Sequence, residues 1–323
     1  MPEVAGNHTL LRELRLMKTG AHLPHALLLH GPAGCGKKLI AKWFSMLVLC
    51  ENMADAPCGK CKNCRLIAED AHPDVLYAEH SGKRGGFSVE TVRRIRSEAA
   101  ILPNNGDMRI FLFTDADEMT VQAQNALLKS VEEPPAHACF VFTAETVGAL
   151  LPTLLSRMTA DAVSPVTSAE CEEALCAKGF SAEEARSAVS HFGGNIGKCL
   201  GFLSDASMQK AVQTASALTG AIASRNEYEM LRLLTAAAAE KDGLRQMLAL
   251  LDLQLRDAAV LSLEGELPQL GCDAAAAREL ASRCSPRRLL KMHGAVTEAF
   301  ADLDGNVGPV LTVSALNAAL ASF

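Results

Sequence analysis

One stretch constrains this chain more than any other: Gly31-Pro32-Ala33-Gly34-Cys35-Gly36-Lys37-Lys38, which follows the apolar run Ala26–His30 and opens a helical pattern. Glycines at this spacing let successive backbone N–H groups turn inward, and the helix adds its positive N-terminal end. Strand, loop and helix together form a cradle for phosphate oxygens. Gly31, Gly34, Cys35, Gly36 and Lys37 are the candidate phosphate-binding residues, with Lys37 reaching the terminal phosphates. The cradle needs an α/β setting, so it sets the fold class of the amino-terminal part.

The eighth residue departs from the pattern. A hydrolysing loop carries Ser or Thr there to hold Mg²⁺, whereas Lys38 brings an ammonium that repels the ion. The matching acidic motif is also altered. An apolar run ending in Asp-Glu would supply a metal ligand and a residue that polarises water, but Ile110–Phe113 runs into Thr114-Asp115-Ala116. If Thr114 holds the first position, the metal ligand is lost. If Asp115 holds it, Ala116 replaces the Glu. The literal pair Asp117-Glu118 lies past the strand, where acidic residues commonly cap the next helix. Either register predicts impaired hydrolysis, and ATP or ADP binding stays open.

Further apolar runs, Val75–Ala78, Arg109–Thr114, Cys139–Thr143 and a weaker one near Ala160–Val163, alternate with helical patterns over Lys37–Leu49, Val89–Ala100 and Val121–Val131. Continuous apolar strands separated by helices indicate a parallel sheet covered on both faces. Ser88 reads as an N-cap, and Pro134-Pro135 stops the third helix. Beyond Pro165 the pattern is helical throughout. Thr167 with Glu170 and Ser181 with Glu184 have the spacing of capping boxes. We therefore expect an α/β domain over 1–165, a three-helix domain over 166–205 and a longer helical domain over 206–323. Leu244, Met247, Leu248, Leu251, Leu255 and Ala258 form one stripe, a core face or a partner-binding face.

The 323 residues carry a net charge of −6, which argues against a protein that holds nucleic acid through bulk positive charge. Arg93, Arg94 and Arg96 on the Val89 helix are a solvated basic face or a local DNA contact. No apolar run approaches a membrane span, and no basic segment followed by an apolar stretch opens the chain. We expect a cytoplasmic protein without membrane contact. Its 11 cysteines then read as thiols rather than a disulfide framework. Four are clustered: Cys50, Cys58, Cys61 and Cys64, spaced C-x7-C-x2-C-x2-C. Four thiolates suit a closed tetrahedral site, and the segment from Glu51 to Arg65 has little apolar content, so structural Zn²⁺ is the expected ligand. An iron–sulfur cluster, a redox dithiol and free thiols are the alternatives.

These features, with Leu23-Pro24-His25-Ala26, His72-Pro73-Asp74, Asn125-Ala126-Leu127-Leu128-Lys129, Glu132-Glu133-Pro134-Pro135 and Leu155-Ser156-Arg157, resemble the bacterial DNA polymerase III clamp-loader subunits of the AAA+ class. The Thr114-Asp115-Ala116 variant resembles the delta-prime branch rather than the ATP-hydrolysing gamma/tau branch. The resemblance implies a zinc module inserted at 50–64, a lid at 166–205 and a collar at 206–323 that joins subunits. It implies that Arg157 acts as an arginine finger on ATP held by a neighbour. The alternative for Arg157 is an ordinary surface arginine, and Met158 stands where the family usually has Cys. Gly197 stands where hydrolysing relatives have a phosphate-contacting Arg, with Lys198 adjacent. Thr143 to Thr146 resemble a sensor segment. The implied partners are gamma/tau and delta subunits, the sliding clamp and primer-template DNA. Two rival readings are an active gamma/tau-type ATPase and a zinc-dependent DNA-binding module.

Overall fold

The computed structural model describes residues 3–20, 22–80, 86–264 and 273–323. They divide into two compact units, Met1–Val166 and Thr167–Phe323.

The first unit is built on five parallel strands: β1 (Ala26–His30), β2 (Val75–Tyr77), β3 (Arg109–Phe113), β4 (Ala138–Ala144) and β5 (Thr159–Ala162). Their order in the sheet is β2-β3-β4-β1-β5. Register places Ala26 opposite Phe140, Leu27 opposite Thr159 and Arg109 opposite Ala138. Successive strand residues point to opposite faces, so each central strand feeds two cores. Leu27, Leu29, Ile110, Leu112 and Val141 pack under α1 (His8–Thr19), α2 (Lys37–Leu49) and α3 (Lys62–Ala68). Leu28, Phe111, Phe113, Phe140 and Phe142 pack under α4 (Val89–Ala99) and α5 (Val121–Glu132). The second face holds the unit's aromatic stacks, Phe111 on Phe140 at 5.3 Å and Phe113 on Phe142 at 4.8 Å between ring centres. A continuous apolar run is thus explained strand by strand, with both of its faces covered.

Local signals fix the helix ends. Ser88 accepts from the Thr91 N–H and caps α4. α5 ends at Glu132, two residues before the double proline. One expectation needs correction: Asp117-Glu118 does not cap α5. Thr120 does, accepting from the Ala123 N–H, while Ala116–Glu118 form a single 3₁₀ turn. A hydroxyl one residue before the helix has the reach that a carboxylate in the preceding turn lacks. A short helix, α6 (Pro152–Leu155), precedes β5.

The second unit holds α7 (Ser168–Ala177), α8 (Ala182–Phe192), α9 (Ile196–Ser204), α10 (Ala206–Ala223), α11 (Glu227–Ala237), α12 (Lys241–Glu264), α13 (Ala274–Arg283), α14 (Pro286–Asp304) and α15 (Pro309–Ser322). Both expected capping boxes form, at Thr167/Glu170 and at Ser181/Glu184. On α12 the stripe from Leu244 to Ala258 is buried, so it is a core face. Thr219 and Gln254 share a buried hydrogen bond of 2.5 Å between α10 and α12. Among the described residues no helix is long and apolar enough to cross a membrane.

Candidate functional site

The glycine loop lies at the carboxyl end of β1, the position where ligands meet parallel α/β sheets. Gly31, Gly34 and Gly36 all adopt positive φ, at 152°, 86° and 87°. At Gly31 the chain also passes so close to β5 that a Cβ would stand 2.0 Å from the Val163 carbonyl oxygen. Gly36 is the N-cap of α2, which has no side-chain cap and no acid in its first turn. Lys37 is buried, 7% exposed, and its Nζ donates to the carbonyls of Gly31 at 2.6 Å and Pro32 at 3.0 Å.

Lys38 points differently. Its Nζ lies 2.5 Å from Oδ2 of Asp115, with the two side chains 60% and 40% exposed. Asp115 follows β3 in the left-handed region, φ 57° and ψ 52°, and its N–H donates to the buried Thr143 hydroxyl at 2.9 Å. Of the two registers the sequence leaves open, Asp115 is therefore the residue that turns its carboxylate to the loop, with Ala116 after it. The neighbouring acids serve the fold. Asp117 accepts from the Glu145 N–H at 2.8 and 2.9 Å, holding the end of β4, and Glu118 pairs with His80 at 3.0 Å.

Arg157 lies elsewhere in this unit. It follows α6, its side chain 38% exposed, and its guanidinium meets Glu132 at 2.5 Å, the Thr153 carbonyl at 2.6 Å and the Ser156 hydroxyl at 3.1 Å. It borders a groove with Leu23, Pro24, His25, Ala26 and Thr159. Those residues mark the amino ends of β1 and β5. The loop follows the opposite end of β1. Five residues of parallel strand, at about 3.3 Å each, put roughly 16 Å between the two features.

The four clustered cysteines gather at the carboxyl end of α2. Cys50 follows the helix, Cys61 caps α3 by accepting from the Cys64 N–H, and all four Sγ atoms lie within 4.8 Å of one another. A tetrahedral zinc–thiolate centre has S···S edges of about 3.8 Å, so small side-chain shifts suffice and the group could hold a metal ion. Backbone N–H groups already point at the sulfurs: Cys58 to Cys50 at 3.4 Å, and Lys60 and Cys61 to Cys58 at 3.4 and 3.3 Å. The last two hold the Cys58 thiol down at about 6, ready as thiolate near neutrality. Burial pushes the Cys50 and Cys64 thiols up, so without a cation they stay protonated. The Asn63 amide donates to the Leu49 carbonyl at 2.9 Å, tying the module to the end of α2.

Other singled-out residues lie away from the loop and the cysteine cluster, or hold the fold. Asp74, fully buried, accepts from the Asn104 N–H and amide at 2.7 and 3.0 Å and from the Asn105 N–H at 2.7 Å. Burial pushes its carboxyl up, but those donors prevail and hold it below the usual range. His72 receives the Asp74 N–H at 3.1 Å. Arg93, Arg94 and Arg96 are exposed on α4, with Arg94 paired to Glu79 at 3.0 Å. Gly197 and Lys198 lie in α9 of the second unit. The sequence missed two contacts, Lys38–Asp115 and Arg157–Glu132. The usable signal for the first was a misplaced cation set against the one acid beside the β3 end.

Residues 6–166 match the family model described as DNA polymerase III, delta subunit. They belong to the DNA polymerase III clamp-loader family. The DNA polymerase III subunit delta' of Pseudomonas aeruginosa is 37% identical over 134 residues, 41% of this chain and 41% of that protein. The gamma/tau subunit of Mycobacterium bovis is 34% identical over 157 residues, 48% of this chain and 27% of that protein. The matched stretch thus spans about two-fifths or less of these relatives' length. A gamma subunit-related protein of Thermotoga maritima superposes over 96% of this chain and 98% of its own at 15% identity, with a TM-score of 0.43. The parallel sheet with its glycine loop and following helices is the α/β fold expected of this clamp-loader class.

Proposed function

We propose that the chain is a delta-prime-type subunit of a DNA polymerase III clamp loader, one that does not hydrolyse ATP itself but completes the ATP site of a neighbour. The observation that carries this reading is the Lys38–Asp115 contact. A hydrolysing loop places Mg²⁺ between its Ser or Thr and this acid; here the two residues are closed on each other, and Ala116 lacks a carboxylate to polarise water. The Mg²⁺ that such loops imply therefore does not fit.

Arg157 is the finger in this proposal. It stands at the far end of β1 from its own loop, which suits action on a partner's γ-phosphate. Glu132 and the Thr153 carbonyl hold the guanidinium in place. A planar, permanently charged group meets the charge that develops on the transferred phosphate. In the same reading Cys50, Cys58, Cys61 and Cys64 hold a structural Zn²⁺, residues 166–205 act as a lid and 206–323 as a collar. The partners are gamma/tau and delta subunits, with the sliding clamp and primer-template DNA met inside the assembly in the cytoplasm.

Reconstituting the complex with Arg157→Ala tests the reading. Assembly should persist while ATP turnover falls by about 10³-fold, the scale on which arginine fingers act; unchanged turnover rejects the finger. A second reading, an active ATPase, is favoured by the identity shared with gamma/tau subunits. Under it the isolated chain would hydrolyse ATP and lose that activity in Lys37→Ala. The proposal expects no turnover from the isolated chain.

A further inference from the structure

We infer that the loop from Gly31 to Lys37 takes up a polyphosphate group without any divalent cation, because the Lys38 ammonium stands where that cation would stand. The inference rests on the geometry of the loop and holds for this chain inside or outside a clamp loader.

Three features of the site argue for it. The first is the cradle, which keeps every element that phosphate recognition needs. Its three glycines hold positive φ, and α2 presents an end without a side-chain cap or a first-turn carboxylate. The first N–H groups of a helix have no partner within it, so nothing acidic in that turn competes with an incoming anion.

The second is Lys37. Its ammonium is more than nine-tenths buried and bonded to two neutral carbonyls, those of Gly31 and Pro32. Among the described residues no carboxylate stands within ion-pair distance of it. A buried charge bonded to dipoles alone remains uncompensated. A phosphate oxygen entering the loop supplies the missing counter-charge and replaces the carbonyls as acceptor.

The third is the pair beside the loop. An unpaired Asp115 would repel phosphate, and in a metal-dependent loop Mg²⁺ cancels that repulsion. Here Lys38 cancels it from 2.5 Å. Mg²⁺ requires oxygen ligands at about 2.1 Å in a near-octahedral shell. Position 38 offers no oxygen, and its charge repels the ion. Asp115 is also pinned, through its N–H, to the Thr143 hydroxyl. A tethered ammonium thus does the electrostatic work of the metal, but it provides no coordination site to activate water.

The test is equilibrium titration of the full chain with ADP, ATP and pyrophosphate, each in EDTA and in Mg²⁺. Binding in EDTA, changed less than about threefold by Mg²⁺ and lost in Lys37→Met, is expected. Lys38→Thr should bind about tenfold or more weakly in EDTA and regain affinity with Mg²⁺, a tenfold change being about 1.4 kcal/mol. Lys38→Met, which keeps length and loses charge, should weaken binding under both conditions and, with an unchanged melting temperature, separates charge from fold. Equal affinity for pyrophosphate and ADP, or a preference for ADP, both support the site and tell whether more than phosphate is read. Wild-type binding that Mg²⁺ strengthens about tenfold overturns the inference. So does absence of binding at millimolar ligand in both buffers, or a Lys38→Met chain that binds as wild type. ATP turnover in the same samples would sink the non-hydrolysing reading separately, since the ADP and pyrophosphate arms report binding alone.

Discussion

At the amino end of α2 a lysine of the chain faces the acid beside the loop; at its carboxyl end four thiols face one another and could share a metal ion. Thirteen residues separate the two situations. The loop end carries Lys37 and Lys38, one bonded to carbonyls and the other to Asp115. The cysteine end carries four thiols within 4.8 Å, two of them pushed towards the neutral form by burial. Binding a dication would require these protonated thiols to ionise, and the cation would offset the repulsion among the four thiolates. The loop end balances its acid with a charge of its own, while the cysteine end is a group of thiols that could hold a metal ion.

The largest effect expected from this contrast is at the cysteine end. Cys64→Ala, or removal of zinc by a strong chelator, should release about one metal ion per chain and lower stability. A loss of about 3 kcal/mol, well under the 10–16 kcal/mol of isolated zinc peptides because the module also leans on the α2 core, corresponds to roughly 6–12 °C in melting temperature. Metal analysis with calorimetry measures both; a freshly purified chain free of metal would break the comparison at once. Next comes Lys37→Met at the loop end, which removes a donor from two carbonyls. Freeing the carbonyls costs about 1–3 kcal/mol, offset in part by removal of the buried charge; the net change should not depend on chelator, and a chelator-dependent loss would mean that the two ends are coupled.

Acid separates them further. Asp74, in the loop just after the cysteine module, has a folded-state carboxyl held below its ordinary value of 3.8. A depressed carboxyl stabilises the fold fully above its unfolded value, and that contribution disappears as pH falls through the lower, folded one. Wild type should therefore lose stability more steeply than Asp74→Asn below about pH 4, as followed by denaturant melts across pH. Protons also compete with metal for the thiolates, so the metal-stripped chain isolates the Asp74 effect. The smallest change should come from Lys38→Met. Its partner is half exposed, and such pairs are worth about 1 kcal/mol or less; a larger loss would make the pair a structural staple rather than a cation in place of metal.

Much of the first unit was legible beforehand. The apolar runs at Ala26, Arg109 and Cys139 became β1, β3 and β4, because a strand buried on both faces cannot hide its composition. The caps at Ser88, Thr167 and Ser181 were legible because a cap joins residues three apart. The cysteine module was legible because its ligands lie within fifteen residues of one another. The Asp117-Glu118 reading failed because Asp117 was recruited by the end of β4, almost thirty residues on, and Glu118 by His80.

What the amino-acid order determined by itself is local: the strand–loop–helix cradle, the helix ends, the four-thiol spacing and the apolar stripe on α12. Each depends on residues a few positions apart, and backbone periodicity converts that spacing directly into geometry. Tertiary structure alone decided which charges meet. Lys38 reaches Asp115, Arg157 reaches Glu132, and Arg157 lies at the opposite end of β1 from the loop. Those facts follow from the order β2-β3-β4-β1-β5. Strand order is set by the packing of two cores at once, and no short window of sequence contains that information.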